Sequence, residues 1–289
     1  MPRKLSPANA LSRSLDTSPQ DRGGRGRRAE PRAYHAGMQS GTLDLAELHR
    51  QFEADGFVKI EPLFDERRIE EIDREVARYM DEIAPGVPAT DIVYESEQPA
   101  HGTRAIRNLW RMERHSSWFE ALARDPTLVE IVGRLLGGEP VSDGVELFAK
   151  PAHVGSAVPF HQDNAYFNRS PPDALTCWIA LDDSTLENGC VYYARGSHRQ
   201  GLLAHEASNV KGNSLKAAGP PPPAALSEVP GILRRGGAIL HHCVLLHRSE
   251  PNRSERPRRG LLIVYHAAHC TVDLEASRAY RKVSEAINA

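Results

Sequence analysis

The feature that most restricts this chain is a change of texture at Pro140. Beyond it the sequence breaks into short runs rich in β-branched and aromatic residues, at 145–150, 158–162, 175–181, 191–194, 238–242 and 260–266. Runs of that length bounded by turn residues read as strands. Asn188-Gly189 is the dipeptide of a two-residue hairpin turn and predicts one between two of these runs. Before Pro140 the apolar spacing is helical. Folded sequence begins near Thr42, where Asp44 and Glu47 form a capping box ahead of Leu45, Leu48 and Phe52. Asp55-Gly56 ends that helix, and 57–60 reads as a strand. A second helix follows Asp65 and carries Ile69, Ile72, Val76, Tyr79 and Met80 on one face. A third starts at Asp125-Pro126 and stops at Gly137-Gly138, with Pro at its first position. Helices first and a β-rich body after them predict a mainly β fold, a sandwich or barrel with helices packed against its outside.

Two stretches lack periodicity and read as long loops, 86–104 and 200–230, the second holding Gly219 and the prolines from Pro220 to Pro223. Loops of that length in compact domains often act as lids or binding segments. Residues 1–40 show no apolar periodicity and are expected to be a disordered, basic extension ahead of one domain at 41–289. A targeting or RNA-binding tail is one reading of it. An upstream extension, with Met38 as the true start, is the favoured one. Residues 1–37 carry eight Lys or Arg against three Asp or Glu, so a net charge of −2 conceals a mildly acidic body. That balance argues against a nucleic-acid or membrane partner. Four widely spaced cysteines without a CxxC pair, and no secretory or membrane-length apolar run, read as buried thiols in a reducing cytoplasm.

The chemistry concentrates in Pro159-Phe160-His161-Gln162-Asp163-Asn164. In a strand, residues i and i+2 share a face, so His161 and Asp163 can aim an imidazole and a carboxylate at one point. With a distant His they would make a two-His-one-carboxylate facial triad, which leaves three positions of an octahedral Fe(II) open. Among thirteen His, about one His-x-Asp arises by chance, and a hydrogen-bonded pair would explain it equally well. The second segment lifts it: His247-Arg248-Ser249-Glu250-Pro251-Asn252-Arg253-Ser254, then Arg258, after a strand-like 243–246. A buried Arg eleven residues beyond a ligand His can meet a dicarboxylate in a bidentate fork.

These segments, with Leu186-Glu187-Asn188-Gly189-Cys190 and Arg195-Gly196-Ser197-His198, resemble the phytanoyl-CoA dioxygenase family of Fe(II)/2-oxoglutarate oxygenases over roughly residues 44–270. The resemblance implies a double-stranded β-helix, or cupin-like jelly roll, with iron held by His161, Asp163 and His247. It implies that Arg258 pairs with the distal carboxylate of 2-oxoglutarate, that Ser249 bonds the same end, and that Trp178 lines the co-substrate pocket. Lys150 or Arg107 would stand near the pocket entrance. The related halogenases replace the carboxylate ligand by a small residue; Asp163 is present, so hydroxylation of a small-molecule C–H by O₂, with succinate and CO₂ formed, is the implied reaction.

Other residues compete. His241 and His242 adjoin a strand without the Ser/Asn/Arg pattern, and alternation should turn at least one away. His198 is the tempting base, but its segment implies a structural turn. Arg259 leaves the opposite strand face from Arg258. Tyr166, Phe167 and Asn168 fit a substrate cleft or a satellite apolar cluster. A non-catalytic binding protein on the same scaffold and a zinc-type cupin hydrolase are the alternatives; a damaged triad would mark the first and none is visible, and the Arg258 pattern speaks against the second. The substrate and oligomeric state are not encoded in any motif.

Overall fold

The computed structural model of the chain describes residues 43–95, 104–219 and 227–288, so the predicted disordered extension lies outside them. The N-terminal part supplies α1 (Leu45–Asp55), β1 (Phe57–Ile60), α2 (Glu66–Arg78), β2 (Ile92–Tyr94), β3 (Ile106–Leu109), α3 (Met112–His115), α4 (Ser117–Leu122) and α5 (Pro126–Leu136). The β-rich part follows with β4 (Pro140–Lys150), β5 (Val158–His161), α6 (Asn164–Phe167), β6 (Arg169–Ser170), β7 (Ala174–Ala180) and β8 (Val191–Ala194). After these come β9 (His205–Val210), β10 (Asn213–Ala217), β11 (Glu228–Pro230), β12 (Ala238–His242), β13 (His247–Ser249), β14 (Arg258–Ala267), β15 (Thr271–Val272) and α7 (Leu274–Asn288).

The predicted helix signals act where the sequence puts them. Asp44 caps α1 by accepting from the Ala46 and Glu47 N–H groups at 3.1 and 3.0 Å. Gly56 ends it in the left-handed region at φ 82°. A Cβ there would also meet His198 Nδ1 at 2.5 Å, so two demands select glycine.

Two antiparallel sheets form the body. The larger has the order β1-β12-β7-β14-β4-β3-β2 and the smaller β11-β8-β13-β5, with β9–β10 and β6–β15 as two-stranded pairs. Strand alternation sorts the larger sheet into two faces. Val145, Leu147, Leu175, Cys177, Ile179, Leu240, Leu261, Ile263 and Tyr265 pack against α1, α2, α4 and α5 in one apolar core. The residues between them, Glu146, Phe148, Thr176, Trp178, His241, Arg258, Leu262 and Val264, line a cavity of about 930 Å³. The smaller sheet adds Val158, His161, Val191, His247 and Ser249 to the same cavity. This is the expected jelly roll with external helices. All four cysteines are buried and free, and no helix among the described residues is long and apolar enough to cross a membrane.

Several local expectations are corrected. Asn188-Gly189 makes no hairpin: β7 belongs to the larger sheet and β8 to the smaller, so the turn carries the chain between sheets. The dipeptide signals only a local reversal; tertiary pairing chooses the strands. Segment 243–246 is a turn closed by the Leu245 N–H on the His242 carbonyl at 2.8 Å, not a strand. The 200–230 stretch contains β9, β10 and β11, and 86–104 contains β2. β9 is a largely exposed polar hairpin strand, without the apolar alternation that marks half-buried strands. Helices α3, α4 and α7 carried no signal that the sequence reading used.

Candidate active site

His161 ends β5 and His247 opens β13, and the antiparallel register sets them directly opposite each other. Their ring centroids lie 4.2 Å apart. Asp163 arrives differently from the strand expectation: β5 stops at His161, and Asp163 has helical backbone at the entry to α6. A turn, not an i, i+2 strand face, brings it in. Its Oδ1 lies 3.7 Å from His161 Nε2 and 3.5 Å from His247 Nε2. One donor atom from each of the three residues falls within 4.8 Å of the others, a spacing able to hold a metal ion.

The hydrogen bonds around this triad suit a metal. His161 Nδ1 donates to the Pro159 carbonyl and His247 Nδ1 to the Leu245 carbonyl, each at 2.9 Å. With the proton held on Nδ1, each Nε2 presents its lone pair to the centre. Asp163 Oδ2 accepts from Thr176 Oγ1 at 2.6 Å and from His241 Nε2 at 3.1 Å, which leaves Oδ1 facing the imidazoles. Burial pushes His247 down to about 3, with His161 beside it acting in the same sense. Burial also lowers His161. Burial alone would raise the Asp163 carboxyl, but the facing imidazoles of His247 and His241 outweigh it and hold it well below the usual carboxylate range. Two neutral imidazoles and one carboxylate are the protonation states that ligation requires.

Arg258 lies on the same cavity wall, 3% exposed, with its guanidinium 5.2 Å above the Trp178 ring. Its Nε is buried without a hydrogen-bond partner among the described residues. Burial lowers it to about 10, so it stays a cation at neutral pH. A buried guanidinium on the cavity wall, with its Nε unpartnered, fits a carboxylate-bearing ligand. Ser249 lines the same cavity. Gly260 leaves room for Trp178, since a Cβ would stand 2.3 Å from its ring. Lys150, the register partner of Arg258, does not stand at an entrance. It is buried, donates to the Ser156 carbonyl at 2.8 Å and to the Glu250 carbonyl, and is pushed down to about 6 by burial and by Arg258. Arg107 is likewise buried, against Glu95 at 3.1 Å and Asn213 at 3.3 Å.

The remaining motif residues build the frame. Asn252 Nδ2 donates to the Lys150 and Arg256 carbonyls at 2.9 and 2.7 Å, and its Oδ1 accepts the Ser254 N–H at 2.9 Å. That turn joins β13 to β14 and so sets Arg258 relative to His247. Asn188 closes its own turn through Thr185 N–H and the Asp183 carbonyl. Ser197 Oγ accepts the Leu246 N–H at 2.9 Å, just ahead of His247. His198 bonds the Glu53 carbonyl at 3.1 Å and does not line the cavity, as its turn reading expects. Arg259 faces the helices and pairs with Asp182 and Asp73. Tyr166 and Phe167 line the cavity, and Asn168 does not.

Sequence reasoning missed four contributors. His241 was set aside as a rival ligand, yet it holds Asp163, while His242 on the opposite face packs against Phe52. Thr176 has no motif around it. Gln162, fully buried, ties the Gly201 and Val244 carbonyls at 2.9 and 2.6 Å and accepts the Leu203 N–H at 2.8 Å; its place between two inward residues was the available signal. Glu146, half-buried on the cavity wall, is pushed up to about 8 by burial, then by the carboxylates of Asp163 and Glu113.

A sequence model of the phytanoyl-CoA dioxygenase family matches residues 52–260. The chain belongs to the phytanoyl-CoA dioxygenase family. Within that family's reach, it is 34% identical over 165 residues to phytanoyl-CoA dioxygenase domain-containing protein 1 of Bos taurus, covering 55% of this chain and 53% of that protein. The match thus spans about half the length of that relative. It is 30% identical over 230 residues to a probable alpha-ketoglutarate-dependent hypophosphite dioxygenase of Stutzerimonas stutzeri, covering 78% of this chain and 79% of that protein. Among solved structures, EctD from S. alaskensis with 2-oxoglutarate and 5-hydroxyectoine aligns with a TM-score of 0.65 at 22% identity, over 83% of this chain and 82% of that one. That likeness is one of fold, and it agrees with the jelly-roll body of this phytanoyl-CoA dioxygenase family member.

Proposed function

We propose that this chain is an Fe(II)- and 2-oxoglutarate-dependent dioxygenase that hydroxylates a C–H bond of a small-molecule substrate. His161, Asp163 and His247 are the residues that hold the metal. Arg258 binds the distal carboxylate of 2-oxoglutarate, Ser249 bonds the same end, and Trp178 forms the wall beneath the guanidinium. The observation that carries the reading is Arg258: a buried cation with an unpartnered Nε, on the cavity that also holds the triad. A zinc-type hydrolase on the same triad leaves that guanidinium without a task, and a binding protein leaves the intact triad without one.

Iron bound there, with the 2-oxo acid, supplies the activation of O₂ that couples decarboxylation to succinate and CO₂ with oxidation of the substrate. The protein's own part is positional. The Pro159 and Leu245 carbonyls hold both imidazoles in the tautomer that offers Nε2. Thr176 and His241 keep the Asp163 carboxylate from rotating. Trp178 under the guanidinium and Phe148 on the same wall surround Arg258 with apolar surface, which strengthens the Arg258–carboxylate attraction. Succinate release with Fe(II), ascorbate and a substrate panel tests the reaction. Substrate-stimulated succinate formation that disappears in Arg258→Met supports it; equal turnover of that variant sinks it.

A further inference from the structure

The cavity wall carries one carboxylate that the reading above does not use. On the inner face of the larger sheet, Glu146 sits among Phe148, Leu262, Val264 and Trp178. Its register partner on β14 is Leu262. It makes no hydrogen bond or ion pair with any described residue, and the acids around it are engaged. Glu113 accepts the Val145 N–H at 2.8 Å, and Asp143 is paired with Arg169 and His266. The cations facing the cavity near it are committed too: Arg111 is held by Asp91 and the Thr90 carbonyl, and Arg248 by Glu228 and Glu250. Arg104, Lys211 and Arg281 belong to the exposed outer lining.

The register also separates Glu146 from the proposed co-substrate end. Arg258 lies opposite Lys150, four residues along β4 from Glu146, or about 14 Å at ~3.4 Å per residue. Without a partner in this apolar wall the Glu146 carboxyl keeps its proton, burial having raised it to about 8, and a ligand that brings a cationic N–H stabilises the ionised form. Asp163, on the same cavity, adds to the negative potential there. A neutral hydroxyl would satisfy one lone pair but leave that potential uncompensated; a cationic N–H donor answers both.

We propose that Glu146 is the substrate-recognition residue of the cavity and that the substrate carries a basic nitrogen, a protonated amine or amidine, which binds its carboxylate. The proposal rests on the dioxygenase reading for the word substrate, and its test is separable from that reading. Three near-isosteric probes, cyclohexylammonium, cyclohexanol and cyclohexanecarboxylate, are titrated by ligand-observed NMR into the protein, with and without Zn(II) and 2-oxoglutarate. The ammonium probe is expected to bind at least ten-fold tighter than the alcohol and the carboxylate. In Glu146→Gln that preference should fall to within about two-fold, with Glu146→Asp restoring part of it. A wild-type preference for the alcohol or the carboxylate overturns the proposal, as does no detectable ammonium binding at millimolar concentration. Equal ammonium binding by folded Glu146→Gln overturns it as well. The wild-type ranking decides the matter if neither variant folds. Failure of the wild type to bind 2-oxoglutarate counts against the dioxygenase reading alone.

Discussion

Asp163 divides its carboxylate between two tasks, and the division explains several neighbours at once. Oδ1 faces the two imidazoles while Oδ2 is fixed by Thr176 and His241. Partners behind a ligand typically govern affinity by about 10- to 100-fold. Thr176→Val keeps the side-chain shape and removes the hydroxyl, so its Fe(II) dissociation constant should rise by that factor in a chelator competition; an unchanged constant contradicts the assignment. Arg258→Lys keeps the charge but loses the planar fork. With ~1.5–3 kcal/mol per charge-assisted hydrogen bond, its 2-oxoglutarate dissociation constant should rise roughly ten-fold or more in calorimetry, while metal affinity changes little. The residues of this scale were unequally legible. His247 and Arg258 come with Ser249, Asn252 and Ser254 as local text. Thr176 and His241 reach Asp163 from other strands, 13 and 78 positions away, and no local pattern announces a contact made only by folding.

The β13–β14 connection is the element that ties the proposed metal end to the proposed co-substrate end. Asn252 closes it with bonds to Lys150, Arg256 and Ser254, so the Asn and Ser of the motif are structural residues acting through Arg258. Asn252→Ala leaves buried carbonyls without donors and should destabilise the protein by ~1–3 kcal/mol, read from a denaturant midpoint. It should also weaken 2-oxoglutarate binding; a loss of stability with unaltered binding would separate the turn from the site. Elements were legible where burial imposed a period. β8 and β12 sit at the expected residues, and Asp125-Pro126 and Gly137 bound α5 as expected. They were illegible where the chain is exposed or short. The polar β9 shows no alternation, α3 spans four residues, and Asn188-Gly189 marked a turn whose strands are in different sheets.

At the scale of the molecule, two sheets enclose the cavity and a helical layer packs against the larger one, so its central strands β12, β7, β14 and β4 carry core on one face and cavity lining on the other. The change of texture at Pro140 made that division readable in outline, and the family segments placed the triad in it. What the sequence did not disclose is the cavity's outer lining, to which α7 adds Tyr280 and Arg281. Burial also makes the whole fold acid-sensitive. His242, packed under α1 against Phe52, is pushed down to about 4 by burial and by neighbouring His198. The unfolded chain therefore binds a proton that the folded chain refuses: its stabilisation is full above about pH 6.5 and is lost as pH falls toward 4. Thermal midpoints of His242→Asn should fall less steeply than wild type between those limits, and an identical slope would contradict this account. The central claim is that one cavity joins a metal triad to a dicarboxylate-binding Arg258. Anaerobic titration of 2-oxoglutarate into the Fe(II)-loaded protein, followed by visible charge-transfer absorption, tests it most directly. A saturable band at one equivalent, absent in His247→Ala and shifted to at least ten-fold higher 2-oxoglutarate in Arg258→Lys, is predicted. No band with wild-type protein that retains Fe(II), or the same titration curve for Arg258→Lys, contradicts it.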